Sequence, residues 1–131
     1  MIQIFHLLNS IPLFLKLAHT QLDVYKYSRQ LILETYKVTK LLPDSERYGL
    51  ITQLRRAALS IHLNIAEGSS RKSKADRKRF YEISRGSLIE VDTAIGVAFD
   101  LEFLTIEQIT VLGEKIVSTF KLLTGLISSQ E

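Results

Sequence analysis

Between Glu46 and Ser73 two helical periodicities run side by side, and together they leave this chain little freedom of fold. Leu50, Leu54, Ala57, Ile61 and Ile65 form an apolar stripe, while Gln53, Arg56, Ser60, Asn64 and Glu67 recur at three, four, four and three residues on another face. A helix of this kind must bury its apolar stripe against a neighbour. A solvated helix face usually carries Lys and Glu, which lose little rotamer freedom there. This one holds an amide, a guanidinium, a hydroxyl and a second amide, groups suited to directed hydrogen bonds. An ordinary exposed face is the competing reading of the same residue types.

Three further segments repeat the helical pattern. From Leu22 to Pro43, Val24, Ser28, Leu31, Thr35, Val38 and Leu42 form one stripe, with Tyr25, Ile32 and Tyr36 beside it. So broad an apolar arc in a small domain points to a subunit contact. Asp44 or Ser45 is the expected cap of the next helix, and Gly68 its expected stop. Ser73 with Asp76 resembles a capping box opening the third helix, whose expected core stripe is Phe80, Ser84, Ser87, Val91, Ala94, Ala98 and Leu101. Gly86 and Gly96 within it suggest close helix packing. Thr105 with Gln108 makes a second capping box, followed by Ile109, Leu112, Ile116, Phe120, Leu123 and Ile127 at three-four spacing. Short connections make neighbouring helices antiparallel, so residues 20–131 are expected to form an all-α, up-down-up-down four-helix bundle.

Residues 1–19 read differently. They are apolar, but the first positive charge is Lys16, after the apolar run rather than before it, and His6, Asn9, Ser10 and Pro12 interrupt the run. This argues against a signal peptide or a membrane span and for a poorly structured or loosely helical extension. The chain has 131 residues and no cysteine, which excludes disulfides and thiol chemistry. Its net charge of +3 is unevenly spread. Residues 55–85 hold nine basic and three acidic side chains, whereas residues 86–131 hold two basic and seven acidic. A chain polarised in this way can present a basic face to a polyanion, or pair basic and acidic faces between subunits.

The basic residues concentrate in Arg71, Lys72, Lys74, Arg77, Lys78 and Arg79, broken by Asp76 alone. Lys74, Lys78, Tyr81 and Arg85 share a helix face by spacing, which places an aromatic among cations. That arrangement suits phosphate contacts, with Tyr81 available to stack on an unpaired base. A solubilising surface with local pairs such as Lys78–Glu82 is the alternative. Metal chemistry has no support: there is no His-x-x-x-His or Glu-x-x-His pair, and Glu90/Asp92 and Asp100/Glu102 diverge around the helix. No phosphate-binding glycine loop follows a strand, so neither a cofactor nor catalysis is expected.

From Gln21 to Leu126 the chain resembles the small bacterial four-helix proteins encoded in intervening sequences of large-subunit ribosomal RNA genes, often labelled ribosomal-protein-like. The resemblance rests on Leu22-Asp-Val-Tyr-Lys26, Leu42-Pro43, Glu46-Arg-Tyr-Gly-Leu50, Gln53-Leu-Arg-Arg-Ala57, Ser60-Ile61, Asn64-Ile-Ala-Glu-Gly68, Arg71, Ser73, Phe80 and Gly86-Ser-Leu88. It implies a homo-oligomer, usually a pentameric ring, with nucleic-acid binding and no established catalysis; the absence of cysteine fits the expected cytoplasmic location. Related proteins are accessory factors of diversity-generating retroelements, so a scaffold docking a protein such as a reverse transcriptase is the alternative function. The motif gives Gln53, Arg55, Arg56, Ser60, Asn64 and Glu67 a role in assembly or ligand binding, with Arg55, Arg56 and Glu67 expected to form an ion-pair system. The family pattern has Pro-Ser after Ser-Ile; His62-Leu63 stands there instead, which predicts a straighter second helix. The leading expectation is a non-catalytic, oligomeric protein that binds structured RNA through the basic run.

Overall fold

The computed structural model describes residues 13–15 and 17–131. Most of the apolar extension therefore lies outside the described residues. Leu13 packs against the core, and Ala18–Gln21 form a 3-10 turn that brings the His19 ring edge-on to Tyr25, with ring centroids 5.4 Å apart. Four α-helices follow: α1 (Asp23–Thr39), α2 (Thr52–Ser69), α3 (Lys74–Asp100) and α4 (Ile106–Ser128). There is no strand among the described residues. Helix α1 packs on α2 and α4, α2 packs most closely on α3, and α3 on α4, the closed arrangement of an up-down-up-down bundle. Leu31, Leu54, Ile61, Ile65, Leu88, Leu112 and Leu123 are fully buried at its centre. Each contributes about 1.5–3 kcal/mol by leaving water.

The α1 stripe is buried as the spacing predicts, hydroxyls included: Thr35 Oγ1 donates to Leu31 O at 2.8 Å and Thr39 Oγ1 to Tyr36 O at 3.1 Å. These bonds to the preceding turn let small polar side chains enter an apolar contact. The α2–α3 contact is tighter still. Ser84 Oγ donates to Ile61 O at 2.7 Å, and Ser60 and Ser87 share a hydrogen bond of 2.9 Å. Gly68 does not stop α2; the helix continues through Ser69 with Gly68 buried inside it. A β-carbon there would meet Phe80 Cβ and Tyr81 Cε1 at 2.9 Å, so glycine is required by the approach of α3. Gly86 and Gly96, in contrast, face open space and mediate no close packing within the bundle.

Several expected details are corrected. Neither Asp44 nor Ser45 caps α2. The chain after Pro43 already winds, first as a 3-10 turn (Asp44–Glu46) and then as a π-helical turn (Arg47–Ile51) broken at Gly49, so α2 starts from a helical residue. Along α3, Leu101 is half exposed at the helix end and Phe80 is only partly buried, while Tyr81, Leu88 and Ile95 occupy the core. On α4 Phe120 is 40% exposed and Thr119 is buried instead. Ser73 Oγ accepts from Asp76 N at 3.1 Å, one half of the expected box. The Thr105–Gln108 box is complete.

The α3–α4 connection holds the one non-glycine residue with positive φ among the described residues, Glu102 at 64°. Glu102 N–H bonds to Phe99 O at 2.9 Å and Phe103 N–H to Ala98 O at 3.0 Å, which makes a Schellman cap with Glu at the position glycine normally fills. The left-handed backbone costs a β-carbon-bearing residue roughly 1–2 kcal/mol. Glycine would relieve that cost but lose about 0.5–1 kcal/mol of unfolded-chain entropy. Glu102→Gly is therefore expected to stabilise the bundle by about 0.5–1 kcal/mol, read as a higher urea midpoint at unchanged slope.

Helix α2 crosses His62 unbroken, as the missing proline predicts. The half-buried His62 Nδ1 lies 2.7 Å from Ser28 Oγ, and its ring centroid lies 4.4 Å from that of Tyr25. Because the Ser28 hydroxyl donates to Tyr25 O at 3.0 Å, its oxygen is left to accept from the imidazole. Burial, then the charges of Arg29 and His19, lowers the His62 pKa from 6.5 to about 4. The folded state thus holds the neutral ring, while the unfolded chain takes up a proton below about 6.5. Stability from this group is complete above that pH and is lost as pH falls towards 4. Urea midpoints measured between those limits are expected to fall more steeply for the native chain than for His62→Gln; parallel curves would assign the acid sensitivity to carboxylates.

Candidate nucleic-acid interface

The basic run lies where α2 ends, a short turn follows, and α3 begins, so the α2–α3 packing decides which of its side chains face outward. Arg77 is turned onto the turn itself, donating to Arg71 O at 3.1 Å and Lys72 O at 2.7 Å, and to Gln130 Oε1 at 2.7 Å. It clamps the connection to the C-terminal end of the bundle. Lys78 is partly buried, 3.0 Å from Glu131 and 3.9 Å from Glu82. The pair with Glu82 is the one its spacing predicts. Arg85 reaches α4, donating to Thr124 Oγ1 at 3.3 Å with its guanidinium 5.9 Å from the Phe120 ring. These three cations are engaged within the fold.

Tyr81 is the largest correction. It is 2% exposed, packed against Gly68, and its hydroxyl bonds to Ser69 Oγ at 2.9 Å. A ring so enclosed offers no face to a base. The aromatic that stands among the cations is its neighbour Phe80, with Arg71 4.9 Å and Arg79 4.5 Å from its centroid. Helical spacing places Phe80 in the core stripe and cannot reveal Arg71, which returns to it from beyond the break between helices. Arg71 also pairs with Glu67. Lys72, Lys74 and Arg79 are exposed, and none of them forms an ion pair among the described residues.

The polar row of α2 divides in two. Ser60 and Asn64 are partly buried, Asn64 Nδ2 donating back to Ser60 O at 2.8 Å and Ser60 Oγ at 3.1 Å, while Gln53 stays exposed and its Nε2 donates across to Glu90 on α3 at 3.3 Å. Arg56 and Glu67 remain exposed. Arg55, also on α2, reaches across to α1, with Nε donating to Thr39 Oγ1 at 2.9 Å and its guanidinium 4.5 Å from the Tyr36 ring. The expected ion-pair system of Arg55, Arg56 and Glu67 does not form: Glu67 turns instead to Arg71.

A second surface feature runs between α3 and α4. Leu88, Ile89, Asp92, Ile116, Val117, Phe120 and Lys121 line an apolar groove of about 250 Å³. Ile89 is 51% and Val117 55% exposed. Among the described residues, no three His, Asp or Glu side chains converge to hold a metal, and no helix is long and apolar enough to cross a membrane.

Comparison with known proteins agrees with this architecture. The family model for 23S rRNA-intervening sequence proteins matches residues 20–125. A solved structure, that of a protein with unknown function from the S23 ribosomal protein family of Bacteroides thetaiotaomicron VPI-5482, is similar with a TM-score of 0.73. Identity is 23%, and the likeness covers 79% of this chain and 97% of that one. At this identity it speaks for the fold alone. No curated protein matches the chain. The family match covers α1, α2 and α3 entire and α4 as far as Gly125, and the chain belongs to the 23S rRNA-intervening sequence protein family.

Proposed function

We propose that the protein is a non-catalytic RNA-binding homo-oligomer of the cytoplasm, which contacts phosphates through the turn between α2 and α3. The observation that carries this reading is the exposure of Lys72, Lys74 and Arg79 together at one end of the bundle with no carboxylate partner among the described residues. Unneutralised cations on the turn and the first turns of α3 raise the local potential, and a polyanion gains by replacing its condensed counterions with them. Each site is weak alone. An oligomer repeats it by symmetry, so that several sites on one RNA act with avidity.

The α3–α4 groove supports the oligomer. Ile89, Val117 and Phe120 leave apolar surface in water, and Asp92 and Lys121 stand in the same groove as groups of opposite charge. A second copy offers both the apolar cover and the complementary charges, and the family resemblance sets the expected number at five.

Lys72→Gln, Lys74→Gln and Arg79→Gln combined should leave helicity unchanged and weaken binding to all RNA sequences alike. The slope of log affinity against log salt should become shallower by roughly 0.7–0.9 for each phosphate that is no longer neutralised. Unchanged affinity in the folded triple variant would remove this turn from the reading. For assembly, light scattering at micromolar concentration is expected to give a multiple of the chain mass, and Val117→Asp a smaller species of equal helicity. A monomeric native chain would end the oligomer reading.

A further inference from the structure

We infer that Arg79, laid over Phe80, forms a stacking site for an unpaired base, so that the favoured ligand is RNA with exposed single-stranded nucleotides rather than continuous duplex. This rests on the phosphate-binding reading of the same turn and specifies what that turn reads. The geometry begins with Gly68. Its missing side chain lets α3 approach until Phe80 Cβ and the Tyr81 ring lie against it. That approach buries Tyr81 and leaves the next ring, Phe80, partly open at the rim of the bundle. Two guanidinium groups then gather on this one phenyl ring, at 4.5 and 4.9 Å.

The two arginines are not equivalent. Arg71 is held by the Glu67 carboxylate, which occupies part of its donor fork. Arg79 has no carboxylate partner among the described residues and is exposed. A guanidinium is planar and weakly hydrated, so a base can stack on its outer surface while its edge donates to phosphate. Phe80 restrains the plane and thereby lowers the entropy cost when a base arrives. Lys72 on the turn and Lys74 at the start of α3 supply charge to the flanking phosphates. Within a duplex the bases are stacked on each other and present no face, so the site adds nothing there beyond its charge. The same site on a single strand gains the stacking contribution.

The test compares a 12-nucleotide oligouridine with a 12-base-pair RNA duplex, both end-labelled and followed by fluorescence anisotropy at fixed salt. The full chain is used with two variants. Arg79→Lys keeps the charge and removes the plane; Phe80→Leu keeps apolar volume and removes the ring under it. The native chain should bind the single strand more tightly. Each variant should weaken about five-fold or more on the single strand and change less than about two-fold on the duplex. Circular dichroism and thermal melting establish that the variants fold, and Arg79→Lys, at an exposed position, keeps the comparison available if Phe80→Leu does not. Equal weakening on both probes, or no change on either, would overturn the stacking site while leaving phosphate binding intact. Failure of the native chain to bind either probe would overturn the phosphate-binding reading and this inference with it.

Discussion

The seam between α2 and α3 sets the positions of nearly everything else of interest. Its closeness depends on small groups in opposition: Gly68 beneath Phe80 and Tyr81, Ser84 bonded to the Ile61 carbonyl, and Ser60 bonded to Ser87. Each removes side-chain bulk and satisfies what polarity remains, so two backbones approach without burying an unpaired hydroxyl. One buried hydroxyl without a partner among the described residues, Thr119 Oγ1, lies on α4, away from this seam. Because the seam runs to the end of α2, it also determines the start of α3. Tyr81 is drawn inside, Phe80 is set at the rim, and Arg77 is aimed back onto the turn.

Periodicity carries the fold well because burial in a bundle is a repetitive condition. The α1 stripe from Val24 to Leu42 and the α2 stripe from Leu54 to Ile65 are buried at the positions their spacing marks, and Thr105 with Gln108 caps α4 as residue type predicts. Spacing fails where the outcome depends on a partner distant in sequence. Gly68 has the chemistry of a helix stop, and only the approach of α3 gives it another task. Gly86 and Gly96 have the chemistry of close packing and meet nothing inside the bundle. At the start of α3 the expected phase is one residue off, at Phe80 and Tyr81, since both rings satisfy an apolar position and composition cannot rank them.

The candidate site is legible in the sequence as a density of charge but not as a set of available charges. Nine residues from Arg71 to Arg79 contain six cations, yet Arg77 serves the backbone of the turn and Lys78 is paired across the bundle end with Glu131. Neither commitment is visible in spacing, because the partners Gln130 and Glu131 lie more than fifty residues away along the chain. What remains for a ligand is smaller and more specific than the run suggests. Two lysines and an arginine face water, and a half-open ring lies under the arginine.

The basic turn and the apolar groove occupy separate parts of α3, and the separation matters for any assembly. From Arg79 to Ile89 the helix advances ten residues, or about 15 Å at a rise near 1.5 Å per residue. That exceeds the screening length at physiological salt, about 8 Å, so the groove's own charges, Asp92 and Lys121, are largely screened from the turn. The link between them is local and mechanical: Arg85, between the two, rests on Phe120 and Thr124 rather than joining the exposed cations. One long helix thus presents a charged end and an apolar flank that can be engaged together. Repetition of the bundle through the flank would bring several charged ends to one RNA without asking any single site to bind tightly.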